Sequence, residues 1–203
     1  MIRTPPYDYE WTLNNGQGSA GIGRPNILYE IADRNYGYMV FNIWNDPIQP
    51  SVGSAEAAVG IYFRPDPTIN LWGARTSFPL YFNWGTWSYF ASAQTYGWIG
   101  FTVQAFKLSD NSFDGQVVDQ RIQLFNVATF YPPPIGITED SNSAYPLQAA
   151  FTTDSTHYYI IWVHCGGTIW AKGWGAAGSG SSANSNIYVA QIPSISLEQI
   201  ILL

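Results

Sequence analysis

The sequence predicts an all-β fold, a single-domain antiparallel β-sandwich or jelly roll of about ten short strands with little or no helix. Three observations predict it. Short runs of β-branched and aromatic residues recur, separated by clusters of Gly, Pro, Asn, Asp and Ser. No stretch carries a sustained 3.6-residue apolar period, so no amphipathic helix is expected. The chain is also 46% apolar and 17% aromatic, which suits a wide core between two sheets.

Taken in order, residues 1–25 read as an extended N-terminal arm, a loop-like composition in which Tyr7, Tyr9 and Trp11 are embedded. Residues 26–193 read as the sandwich domain. Its predicted strands begin with 26–31 and 36–44; in the second, Tyr38, Val40 and Asn42 share one face and Met39, Phe41 and Ile43 the other. Next come 57–63, stopped by Arg64-Pro65, and the short 69–74. Strands 78–82 and 86–91 flank a turn expected at Asn83-Trp84-Gly85. Residues 98–108 alternate most clearly, with Ile99, Phe101, Val103 and Ala105 inward and Thr102 and Gln104 outward. After the loop 109–115, residues 117–127 return as the hairpin partner, Val118, Ile122 and Leu124 inward. Tyr131-Pro132-Pro133-Pro134 cannot sit in a central strand, because three residues lack an N–H. A polar loop and a strand at 147–152 follow.

The stretch His157 to Trp174 reads as a hairpin. Tyr158 to Val163 is apolar enough to be buried on both faces, and Gly166-Gly167 has the composition of a tight turn. On the return strand Thr168, Trp170, Lys172 and Trp174 share one face. A Gly/Ser-rich segment precedes a strand at 187–192. Residues 194–203 read as an apolar C-terminal tail or a closing strand, ending Ile200-Ile201-Leu202-Leu203.

Composition excludes several functions. Net charge is −6 with no basic cluster, so nucleic acid is not an expected partner. No apolar run reaches the ~18 residues of a membrane span. One cysteine, Cys165, leaves neither an internal disulfide nor a cysteine metal site. His157 and His164 lie seven apart on one predicted strand, hence on opposite faces, and do not share a metal. No metal and no cofactor is therefore expected. The N-terminus lacks the apolar core of a signal peptide, so the expectation is a chain made in the cytoplasm and either used inside the cell or leaving it by another route such as lysis, to end in a virion or outside the cell.

The charged fraction is 11%, against roughly 25% in an ordinary soluble domain. Such a surface stays wet through Asn, Ser, Thr and Gln, or it is covered by other subunits. The leading expectation is accordingly a non-enzymatic subunit that self-assembles as a homo-oligomer or larger particle, of the virion-shell or surface-appendage type. Its contacts would come from Tyr7, Tyr9 and Trp11 in the arm and Ile200, Ile201, Leu202 and Leu203 in the tail. The alternative is a carbohydrate-binding module or lectin with a glycan ligand. Trp170, Lys172 and Trp174 would form one stacking platform, and Trp84, Trp87 and Trp98 another. For any single Trp, filling the core is the commoner fate. A second alternative is a small jelly-roll glycoside hydrolase. The composition resembles that of the xylanase type, and the resemblance implies two facing carboxylates, for which Glu30 and Glu56 are the candidates. Neither a Glu centred in an aromatic-rich strand nor a second such Glu near the C-terminus is found to support it.

Overall fold

The structure, a computed structural model, describes residues 1–3, 9–18, 27–45, 51–89, 92–129, 135–171, 180–189 and 192–201. Its described elements are strands: β1 (Ile2–Arg3), β2 (Tyr9–Gly18), β3 (Ile27–Asp33), β4 (Tyr38–Asn45), β5 (Ser51–Phe63), β6 (Leu71–Tyr89), β7 (Ala93–Lys107), β8 (Phe113–Thr129), β9 (Ile135–Thr152), β10 (His157–Ala171), β11 (Gly180–Val189) and β12 (Ile195–Gln199). They form two antiparallel sheets. The first has seven strands around β6. On one side of β6 lies β9; on the other lie β12 and β1 at one end and β11, β4 and β3 at the other. The second has five strands in the order β2-β5-β10-β7-β8.

Period-2 alternation builds the core between the sheets. The five-stranded sheet sends inward Ala57, Val59, Ile61 and Phe63 from β5, Tyr159, Ile161, Val163 and Cys165 from β10, and Ile99, Phe101 and Val103 from β7. The seven-stranded sheet answers with Phe78, Leu80 and Phe82 of β6, Met39 and Ile43 of β4, and Ile195 and Leu197 of β12. The antiparallel β-sandwich expected from the sequence is the fold observed.

Two expected turns and one expected loop lie within strands. Gly166-Gly167 lies inside β10, which runs unbroken and pairs with β5 and β7 through both glycines. The small residues are there for space. A Cβ on Gly166 would sit 2.4 Å from the Trp98 ring, which lies flat across that position. Asn83-Trp84-Gly85 likewise lies inside β6, with a register shift against β9 between Trp84 and Thr86 taking up the irregularity. The polar segment before residue 147 belongs to β9. Among the described strands β9 pairs with β6 alone, and an edge strand tolerates Pro146. The β7–β8 hairpin is as expected, closed by a turn with Asn111 at φ 60°.

The described parts of the N-terminal arm are strands of this chain's own sheets. β2 lines the edge of β5, and β1 pairs with β12. Met1 N and O bond to Leu197 O and N, each at 2.7 Å. The tail closes the sheet on β6 through β12, with the Ile200 N–H donating to Leu71 O.

Close approach at two glycines supplies a test of the packing. A Cβ on Gly100 would lie 1.8 Å from the Gln120 carbonyl oxygen, a backbone atom that cannot swing away; one on Gly73 meets nothing nearer than 3.5 Å. Gly100→Ala is therefore expected to destabilise by about 3 kcal/mol or more, and Gly73→Ala by less than about 0.5 kcal/mol. Urea denaturation of the two variants checks this, and similar midpoints would contradict the packing.

Candidate functional site

The outer face of the five-stranded sheet gathers the chemistry. On β10 the even-numbered residues point there, and the register sets Gly60, Ala58 and Glu56 of β5 and Gln104, Thr102 and Trp98 of β7 beside them. Trp162 lies over Gly60, where a Cβ would meet its ring at 2.7 Å. Its Nε1 donates to Gln104 Oε1 at 2.9 Å, which fixes the plane of the indole. Trp98 lies over Gly166 in the same manner. Each glycine acts as a floor that lets an indole lie along the sheet instead of standing off it.

Between the two indoles is His164, only 2% exposed although it is on an outer face. Trp98 packs edge-on against its ring at 4.6 Å. An imidazole so covered needs partners for both nitrogens. Nδ1 is 2.8 Å from Glu56 Oε1, and Nε2 is 3.1 Å from Thr102 Oγ1. Thr102 Oγ1 has a longer contact, 3.5 Å, with Asp119 Oδ1, and the Arg121 Nε–H donates to the same oxygen at 3.1 Å. Arg121 then turns its guanidinium over Trp98, 4.5 Å from the ring centroid. A continuous polar row thus crosses β5, β10, β7 and β8.

Two cavities open beside this row and share Glu56. One, of about 190 Å³, is lined by Glu56, Ala58, Thr102, Gln104, Trp162 and His164. The other, of about 200 Å³, is lined by residues including Ser54, Glu56, Trp98, Arg121 and Thr168. Farther along the same face an aromatic row crosses four strands. Tyr62 stacks on Tyr158 at 5.2 Å, Tyr158 on Phe106 at 5.3 Å, and Phe106 meets Phe113 edge-on at 5.6 Å.

The residues singled out from sequence fall in several places. Trp170 shares the face and parity of Trp162 and His164 on β10 and is partly exposed. Lys172 and Trp174 lie outside the described residues, as do Tyr7, Leu202 and Leu203. Trp98 is on the face but 4% exposed, covered as described above, and so offers no open plane. Trp84 is elsewhere, stacked on Phe125 at 5.1 Å and on Phe82 against the core. Trp84 and Trp98 thus belong to opposite sheets and do not make one platform. Trp87 lies on β6, its side chain outside the description. Tyr9 and Trp11 are on β2, Ile200 lies close to Gly73, and Ile201 is 70% exposed. With β2 and β12 in this chain's own sheets, assembly through arm and tail has no structural argument. Glu30 and Glu56 are on β3 and β5, in different sheets. Cys165 is buried, and burial pushes its thiol far above the ordinary range, which removes it as a nucleophile. Sequence reasoning missed Trp162 and the Glu56–His164 pair; isolated glycines inside strand patterns, at 60 and 166, were the available signal.

A second cluster sits at the end of the sandwich, beside a cavity of about 480 Å³. His157 Nδ1 is 2.8 Å from Asp154 and Nε2 is 2.9 Å from Asp114, which also pairs with Lys107 at 2.9 Å. Both imidazole nitrogens are taken by carboxylates. Among the described residues no group of three His, Cys, Asp or Glu side chains could hold a metal ion.

No family model matches the chain, and no curated protein sequence matches it. Among solved structures it is similar to a family 11 carbohydrate-binding module from Clostridium thermocellum, in complex with a β-1,3-1,4-mixed-linked tetrasaccharide. That likeness has 10% identity, covers 94% of this chain and 95% of that one, and has a TM-score of 0.24. A family 61 module in complex with β-1,4-galactotriose gives 9%, 92%, 88% and 0.21. An adhesin domain of the Lys-gingipain of Porphyromonas gingivalis W83 gives 10%, 90%, 99% and 0.23. At these TM-scores the likenesses carry no argument about this chain.

The His157 cluster generates a pH prediction. Hydrogen bonding to Asp154, reinforced by Asp114, raises the His157 pKa. Hydrogen bonds from Thr156 and then His157 hold Asp154 down at about 2, and Lys107 and then His157 lower Asp114. The imidazole's contribution to stability is complete below its unfolded value of about 6.5 and is lost as pH rises through the higher folded value. The carboxylates' contribution is complete above their unfolded values of about 4 and is lost as pH falls through the lower folded ones. Urea midpoints should therefore be highest between about pH 4.5 and 6. His157→Asn should flatten the alkaline limb; an unchanged alkaline limb in that variant would contradict the assignment.

Proposed function

We propose that this chain binds carbohydrate on the outer face of the five-stranded sheet. The observation that carries the reading is the Trp162 indole, laid flat on Gly60, pinned by Gln104 and partly exposed beside Glu56 and His164. A pyranose has a C–H face that packs on an aromatic plane and a rim of hydroxyls that need donors and acceptors. The cavity beside Trp162 offers both: an indole plane, and around it the carboxylate of Glu56, the amide of Gln104 and the hydroxyl of Thr102. Because the indole is already fixed, little side-chain entropy is lost on binding.

The rest of the face is consistent in character. The row Tyr62–Tyr158–Phe106–Phe113 continues the aromatic surface, and Trp170 extends it at the opposite end of β10. A chain with few charges and many aromatic and amide side chains suits an uncharged, hydroxyl-rich ligand. In this role the protein is a binding module, with no catalytic residue assigned.

A glycan array probed with the purified chain tests the reading, followed by calorimetry on any ligand found. Trp162→Ala should weaken binding at least tenfold, about 1.4 kcal/mol, with an unchanged circular dichroism spectrum. Trp84→Ala should instead lower the melting temperature. Absence of binding to every glycan on a broad array would remove the proposal.

A further inference from the structure

We infer that the two cavities beside Glu56 are adjoining subsites for consecutive units of a neutral, unbranched glycan, with Glu56 the acceptor they share. This rests on the carbohydrate-binding reading and goes beyond it by specifying charge, minimum length and orientation. Ser54, Glu56 and Ala58 follow one another on this face of β5 at intervals of about 7 Å. The first two line one cavity and the last two the other, so Glu56 stands at the junction. On β10, Thr168 and Gly167 line one cavity and His164 and Trp162 the other. The cavities therefore succeed one another along the strand direction, and a bound chain runs parallel to β5 and β10.

Charge decides the class of sugar. The carboxylate at the junction is Glu56, a quarter exposed and held by His164. The one cation lining either cavity, Arg121, is engaged by Asp119 at 3.1 Å and laid over Trp98. A uronate or sulfated unit would bring a second anion against Glu56, and among the described residues lining the cavities no Lys or Arg is left unengaged to meet it. A neutral sugar instead finds hydroxyl acceptors in Glu56 and Gln104 and a donor in the Thr168 hydroxyl. Neither cavity is enclosed, so the chain can continue past both, which fits an internal stretch better than a chain end.

The test is a calorimetric titration of the full chain with the mono- to tetrasaccharide ladder of its best-binding neutral polysaccharide among cellulose, mannan, xylan and galactan. Oligogalacturonates of the same lengths serve as the acidic comparison. Affinity is expected to rise at least tenfold from mono- to disaccharide, and the acidic ladder to bind at least tenfold more weakly. Glu56→Gln should weaken neutral binding at least tenfold. Thr168→Trp, at an exposed position, should fill the outer cavity and bring the disaccharide to the affinity of the monosaccharide. A flat ladder, tighter binding of the acidic series, or an unchanged disaccharide affinity in Thr168→Trp would overturn the paired subsites while leaving carbohydrate binding intact. Failure of all glycans to bind would overturn both.

Discussion

The outer face of the five-stranded sheet depends on one steric fact, the missing side chain at Gly166. Because nothing projects there, the Trp98 indole lies down on the sheet, and in lying down it covers His164. A buried imidazole with unmet nitrogens would cost about 1–3 kcal/mol per lost bond. Glu56 and Thr102 meet that demand, and Asp119 and Arg121 complete the row, with Arg121 returning to cap Trp98. The arrangement is closed on itself. Each member is fixed by the next, which is what a face meant to recognise a shaped ligand requires.

Gly60 repeats the device one strand over, with a different result. Trp98 is sealed under Arg121, whereas Trp162 keeps part of its surface open. One indole is structural and the other is presented. The same residue type thus serves two ends, and the difference comes from which neighbour lies above it. At the other end of the sheet, His157 ties the start of β10 to β8 and to the residues just after β9 through two carboxylates, so the strand that carries Trp162 and His164 is held at its entry as well as along its length.

Much of the fold was legible because alternation is a local signal. Ile99, Phe101, Val103 and Ala105 face the core as their spacing demands, and the hairpin from β7 to β8 follows from the polar loop between them. What misled was glycine. Gly166-Gly167 has the composition of a tight turn, and only the partner strands, which set Trp98 across from Gly166, reveal a close approach instead. The same holds for Asn83-Trp84-Gly85, where a register shift inside a 19-residue strand looks like a break. The site was half legible. Reading a turn at Gly166-Gly167 separated Trp170 from Trp162 and His164, and only the unbroken β10 puts the three on one face. Glu56, 108 residues from His164, is brought there by strand order alone, which no local pattern encodes. Grouping Trp84 with Trp98 failed for the same reason, since proximity in sequence does not say which sheet a strand joins.

The central claim is that ligand contacts the presented indole on the five-stranded sheet. An amide and indole N–H chemical-shift titration with the tetrasaccharide of the best-binding neutral glycan tests it most directly. The account predicts that the Trp162 Nε1–H and the amides around Glu56 and His164 shift together and saturate, while the Trp84 indole is unmoved. Saturable shifts confined to the seven-stranded sheet, with Trp162 silent, would contradict it.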